Sequence, residues 1–209
     1  MRYTFSYMNS LLRITLQTDP EQKQRLLALQ QAFAHVCNTL APIVRANQCW
    51  NRVALHHMTY KSLREQFPAL GSQMVCNAIY SVCRASRLVY QHAASPFNLA
   101  RLGGKPLPLL RFADNCPVYF DRHTLSLKGS VLSLFSLHGR MRFELALRPE
   151  ASEALQTCKL REVVLSRRND GEFELSFWLE RADLLGGAAA DPGPVEALPE
   201  YLIVEEQVA

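Results

Sequence analysis

Apolar positions recur along this chain with two periods, and the change from one to the other organises it. Leu12, Ile14 and Leu16 alternate with Arg13, Thr15 and Gln17, and Tyr3, Phe5 and Tyr7 alternate ahead of them. That is the spacing of strands with one wet face. From Leu26 the step lengthens, and Leu26, Leu29, Phe33, Val36, Cys37, Leu40 and Val44 make a helical stripe. Asp19 as N-cap, Pro20 at the first helical position and Gln22 closing a capping box predict its start, and it should run to about Ala46. Asn47–His57 is less periodic, and a short helix is predicted over Thr59–Gln66. Pro68 and Gly71 interrupt the pattern, and Ser72 is predicted to cap the next helix. Val75, Ala78, Ile79, Val82, Ala85 and Val89 form its apolar face. Gln73, Asn77, Tyr80, Arg84, Arg87 and Gln91 lie opposite, also at helical steps.

Ala93–Pro108 reads as a linker, because Pro96, Gly103, Gly104, Pro106 and Pro108 prevent regular structure. Beyond it the period becomes two. Val118–Phe120, Leu125/Leu127, Leu132/Leu134 and Met141/Phe143/Leu145/Leu147 predict strands. Leu160–Arg167 and Glu172–Glu180 flank Asn169-Asp170-Gly171, a hairpin signal. A lone first strand gains little by itself, so Leu12–Leu16 is expected to pair with the later strands. The expected fold class is α+β, a small β-barrel interrupted by a helical insertion. The stretch after Ala182, LLGGAAADPGPVEALPE, reads as a flexible linker, and Tyr201–Val204 as an apolar tip that docks as strand or helix.

Composition narrows the function classes. At 48% hydrophobic and 20% charged, the 209 residues describe a soluble globular chain. Its net charge of +4 hides an asymmetry, since residues 1–182 hold all 23 basic residues and 13 of the 19 acidic ones, a net of +10. A basic body with an acidic tail points to a polyanionic partner, nucleic acid or lipid. The six cysteines (Cys37, Cys49, Cys76, Cys83, Cys116, Cys158) have no zinc spacing and suit a reducing compartment. With no apolar leader core and no membrane-length run, the protein is expected to be cytoplasmic, without a membrane partner. His56-His57 lacks a Cys or carboxylate at ligand spacing, and no Ser/His/Asp motif is present. No metal, cofactor or catalytic residue is expected.

The polar side of the Ser72–Gln91 helix is either a solvated face or a nucleic-acid surface. Gln and Asn can pair with base edges, and Arg holds phosphate. The order of segments then adds a resemblance. TDPEQ opening a helix, MTYKSLREQFPAL, SQMVCNAIYSVCRASRLVYQ, HTLSLKGSVLSL and VVLSRRNDGEFELSFWLE follow one another as in the N-terminal half of the transposon-encoded RNA-guided nucleases called TnpB. The compact type V CRISPR nucleases are related. The resemblance covers roughly residues 10–182 and implies an OB-like wedge barrel over 1–17 and 109–182. It also implies a helical recognition insertion with its linker over 18–108, and residues 183–209 are expected to be a flexible acidic tail.

The resemblance further implies a protein that holds a structured guide RNA and reads a short motif in duplex DNA beside the target, with base pairing supplying most specificity. The positions matching the family's motif readers are Tyr60, between two recognition helices, Gln73 and Asn77 at the start of the next helix, and Asp121 with Phe120 beside it. Asp121 departs from the pattern, since a carboxylate repels phosphate. Arg84, Arg87, Arg140, Arg142, Arg167 and Arg168 are candidate contacts to backbone or guide RNA. In the family a RuvC-like nuclease domain follows; here no glycine-flanked aspartate follows Glu180, and Asp191 sits in AADPGP. The expectation is a nuclease-deficient DNA-binding protein, not an enzyme, acting as a repressor or with a RuvC-like subunit supplied in trans. The alternatives are an interaction module or inhibitor that mimics part of such an effector, or a decayed transposon fragment.

Overall fold

The computed structural model describes residues 10–181 and 198–206. In chain order the elements are β1 (Ser10–Thr15), α1 (Pro20–Asn47), α2 (Arg52–Gln66), α3 (Ser72–Tyr90), α4 (Leu99–Leu102), β2 (Leu109–Phe112), β3 (Val118–Phe120), β4 (Leu125–Lys128), β5 (Val131–Ser136), β6 (Gly139–Glu144), α5 (Pro149–Thr157), β7 (Cys158–Arg167), β8 (Phe173–Arg181) and β9 (Leu202–Glu205). The class is α+β. The strand expected at Tyr3–Tyr7 and the linker up to residue 197 lie outside the described residues.

Local chemistry sets the helix starts. Asp19 Oδ1 accepts from the Gln22 backbone N–H at 2.8 Å, and Gln22 Oε1 accepts from the Asp19 N–H at 3.1 Å, so the capping box forms as predicted. Asn51 opens α2, its side chain accepting from Val53 N and Ala54 N at 3.0 and 3.1 Å. This helix starts well before Thr59, because Asn51 caps a segment whose buried stripe is only Leu55, Thr59 and Leu63. Ser72 is not a cap. Gly71 takes that position without a side-chain bond, and Ser72 is an exposed residue of the first turn. A larger residue there would have to displace the Phe135 ring of β5, since a Cβ would stand 2.7 Å from its Cζ. Asp19→Ala is therefore expected to cost about 1 kcal/mol, and Ser72→Ala no more than about 0.5 kcal/mol. Urea denaturation of the two variants checks both.

The strands pair antiparallel in three sheets, β1-β8-β7-β3, β2-β9 and β4-β5-β6. β7 and β8 meet through Asn169-Asp170-Gly171, where Gly171 takes a positive φ of 83°. As expected, β1 returns to the later strands, in register from Ser10 opposite Leu179 to Thr15 opposite Glu174. Among the described residues no sheet closes into a barrel. β1 and β3 stay at opposite edges of the four-stranded sheet, and helices cover its apolar face instead. One buried cluster joins Leu29, Phe33 and Val36 of α1 and Val75, Ile79 and Val82 of α3 to Val163 and Leu165 of β7 and Phe173, Leu175 and Phe177 of β8.

Two further contacts tie the periphery to this core. Asn38 of α1 donates to Phe112 O at 2.8 Å and accepts from Phe112 N at 2.7 Å, holding β2 against the helix. β9 then pairs along β2, with Leu202 6% exposed. The apolar tip docks as a strand, on β2 of its own chain. α4 inside the expected linker, α5 and β2 are short elements that the sequence pattern does not reveal.

Candidate nucleic-acid interface

The spacing of α3 places its polar side in solvent, yet the first half of that side lies against β3. Asn77 is 6% exposed, and its Nδ2 donates to the backbone carbonyl of Tyr119 at 2.9 Å. One turn earlier, Gln73 Nε2 donates to Asp121 Oδ2 at 2.6 Å and lies 3.5 Å from Asn77 Oδ1. Asp121 is fixed in turn. Its Oδ1 accepts from His123 N at 3.0 Å and from Thr124 N and Oγ1 at 3.1 and 3.0 Å, capping the turn into β4. The carboxylate that looks out of place beside phosphate thus has an internal role. Phe120 is 2% exposed and belongs to the core, so it does not face a ligand.

Across from Gln73 runs the polar face of α2. Arg52, His56 and Tyr60 follow at four-residue steps, the spacing of one helical face. The His56 and Tyr60 rings stack at 4.6 Å with 19° between planes, and the Arg52 guanidinium sits 5.3 Å from the Tyr80 ring centre. Tyr60 lies within α2 and not between two helices. Arg52, Val53, His56, Gln73, Cys76 and Ile79 line a groove of about 350 Å³. Burial pushes the Cys76 thiol up from its usual value, so it lines the groove as a neutral group. Sequence reasoning missed Arg52, and it weighed His56 only as a metal ligand. The signal for both was Asn51, whose capping extends the helix back over them.

The later half of α3 belongs to a second surface. Arg84 pairs with Glu162 of β7 at 3.0 Å and lies 5.7 Å from the centre of the Tyr119 ring. Burial works against its charge, but the Glu162 carboxylate beside it favours the charged form, and the pKa is raised. Tyr119 itself is pushed up by burial and stays neutral. Arg87 donates to Trp50 O at 3.2 Å beside an open cavity of about 450 Å³ that also includes Gln48, Asn51 and Gln91.

The other candidate arginines divide by their partners. Arg140 lies flat on the outer face of β4-β5-β6, its Nε and Nη2 both 2.9 Å from Ser133 Oγ and O. Arg142 and Lys128 are exposed on the same small sheet, and neither forms an ion pair among the described residues. Arg122 is exposed at the turn beside Asp121. Arg168 pairs with Asp170 at 2.9 Å and reaches Thr15 Oγ1 at 3.3 Å, while Arg167 is exposed at the same hairpin end.

Of the predicted readers only Gln73 lines the groove; Asn77 and Asp121 lie behind it as its bonding partners, Tyr60 stacks on the groove residue His56, and Arg84 and Arg87 belong to the second surface. Arg140 and Arg142 stand on the neighbouring small sheet, which Phe135 seats against the start of α3. Arg167 and Arg168 stand apart at the β7–β8 turn. Among the described residues no helix is long and apolar enough to cross a membrane, and no group of three or more His, Cys, Asp or Glu could hold a metal ion. No protein-family model matches the chain, and no curated protein sequence matches it.

Proposed function

We propose that this chain is the recognition part of an RNA-guided DNA-binding protein of the TnpB-like kind. It holds a structured guide RNA and reads a short motif in duplex DNA next to the target. The observation that carries this reading is convergence. Residues from three separate stretches are linked around one groove: Gln73 and His56 line it, Tyr60 stacks on His56, and Asp121 and Asn77 hold the Gln73 amide from behind. Stacked rings, a fixed amide and an arginine are the parts that base contact needs. In this reading β1 and the strands over 109–182 correspond to the family's OB-like wedge in an unclosed form, and the helices to its recognition insertion. The chain supplies binding, as a repressor or as one subunit beside a RuvC-like nuclease.

Within the groove the roles separate. Asn77 holds α3 to β3, and Gln73 presents its amide from that support. The guide and the DNA backbone are contacted by Arg142, Lys128, Arg122 and Arg167, whose charges are exposed, more than by Arg84, whose charge Glu162 already meets. Each phosphate contact contributes about 0.7 to 0.9 to the slope of log affinity against log salt. Lys128→Glu with Arg142→Glu is expected to flatten that slope by about 1.5 for the RNA the protein carries. Filter binding from about 50 to 300 mM salt reads it, and an unchanged slope removes this sheet from the interface.

A further inference from the structure

We infer that Gln73 selects, at the base position it faces, a base that carries an amino group on the strand nearer α3. This rests on the proposed reading of the groove as a DNA-motif site and names the chemistry it selects. The polarity of the amide chain is fixed from both ends. The Tyr119 carbonyl accepts only, so Asn77 must turn Nδ2 towards it, 2.9 Å away, and Oδ1 towards Gln73. The Asp121 carboxylate also accepts only, and its Oδ2 stands 2.6 Å from Gln73 Nε2. Asp121 cannot rotate to offer anything else, because its Oδ1 is held by His123 N and by Thr124 N and Oγ1.

Both donor hydrogens of Gln73 are therefore directed inward. What remains for the groove is Oε1, which accepts no hydrogen bond among the described residues and is not sealed from solvent. A free glutamine would read adenine with two bonds, donating to N7 and accepting from N6. This one only accepts. In the major groove adenine N6 and cytosine N4 donate, whereas guanine O6 and thymine O4 would meet an oxygen with no proton between. The expected code at that position is two bases wide, adenine or cytosine on one strand, and it ignores ring size.

The substitution that inverts the code is Asp121→Asn. Its Oδ1 keeps the turn bonds, and its Nδ2 now donates at the 2.6 Å position, which outweighs the looser 3.5 Å approach of Asn77 Oδ1, so Gln73 turns Oε1 inward and Nε2 into the groove. Guanine or thymine on the same strand then becomes the favoured class. The probe is a duplex library carrying the complement of the co-purified RNA's variable end beside six randomised base pairs. It is selected on the intact RNA–protein complex by pull-down and sequencing. The relevant position is the one whose preference disappears in Gln73→Ala. Wild type is expected to enrich adenine and cytosine together on one strand by about fivefold, the worth of one hydrogen bond, and Asp121→Asn to exchange that pair for guanine and thymine.

A position that groups the bases otherwise, a class that Asp121→Asn leaves in place, or no position altered by Gln73→Ala overturns the inference. Absence of RNA, or of any retained duplex, overturns the reading beneath it instead. Thermal melting of Asp121→Asn close to wild type excludes misfolding as the cause of an exchanged preference.

Discussion

Asn77→Asp is expected to lower the stability of the protein by about 3–5 kcal/mol, the range for a buried charge left without a partner. The change is one atom wide. It replaces the Nδ2 that donates to Tyr119 O with an oxygen, puts two acceptors 2.9 Å apart and adds a charge near Asp121. At 6% exposure, water cannot compensate. Asn77→Ala removes the donor without adding a charge and is expected to cost about 1–3 kcal/mol, the penalty of an unsatisfied buried carbonyl. Guanidinium denaturation orders the three proteins. Equal stability of wild type and Asn77→Asp would mean that α3 is not held to β3 through this residue. It would also remove the support on which Gln73 is placed.

Arg52→Ala combined with Tyr60→Ala is expected to weaken duplex DNA engagement by about 100-fold while the protein keeps its RNA. The estimate follows from about 1–3 kcal/mol for a base stacked on an aromatic ring and about one phosphate contact more. Arg52 is exposed and Tyr60 is half-buried with part of its ring against the core, so thermal melting of the double variant accompanies the binding measurement and a native melting temperature assigns the loss to the contacts. His56 loses its stacking partner at 4.6 Å, which leaves the groove less ordered on that side. Electrophoretic mobility shift with the guide-matched duplex reads DNA binding, and the absorbance ratio of the purified complex reads RNA. Parallel loss of RNA and DNA would show that the α2 face holds the guide and not the motif.

Features decided within a few residues are legible in the sequence. Asp19, Pro20 and Gln22 specify the start of α1 through bonds that span three residues, and Asn169-Asp170-Gly171 specifies the β7–β8 turn. The return of β1 to β8 is legible for a different reason, since Leu12 and Ile14 need a neighbour to bury them. What fails is the equation of a polar face with a wet one. Helical spacing sets Asn77 among the polar positions of α3, but it does not tell solvent from the edge of a strand, and the strand edge is what Asn77 meets. Phe120, singled out through the resemblance as the neighbour of Asp121, is buried for a related reason. All three residues of β3 are buried, because the sheet covers one side while α3, with Tyr80 and Arg84, covers the other.

The full length of α2 is hidden because three buried residues in fifteen give too narrow a stripe, and its first turn is announced only by Asn51. Barrel closure is beyond the pattern altogether. Alternation states that a strand has a covered face, and here α1 and α3 supply the cover that closure would have provided. The candidate site is half legible. Tyr60, Gln73 and Asp121 can be singled out, whereas the division between Asn77 as support and Gln73 as reader depends on Tyr119 O, a backbone atom no side-chain pattern reveals.

The most direct measurement is to purify the full chain under high salt and sequence whatever nucleic acid remains bound. RNA-guided binding predicts one discrete RNA species with a constant structured part and a variable end. A preparation with the absorbance ratio of clean protein, or carrying only heterogeneous cellular RNA that salt removes, would contradict it.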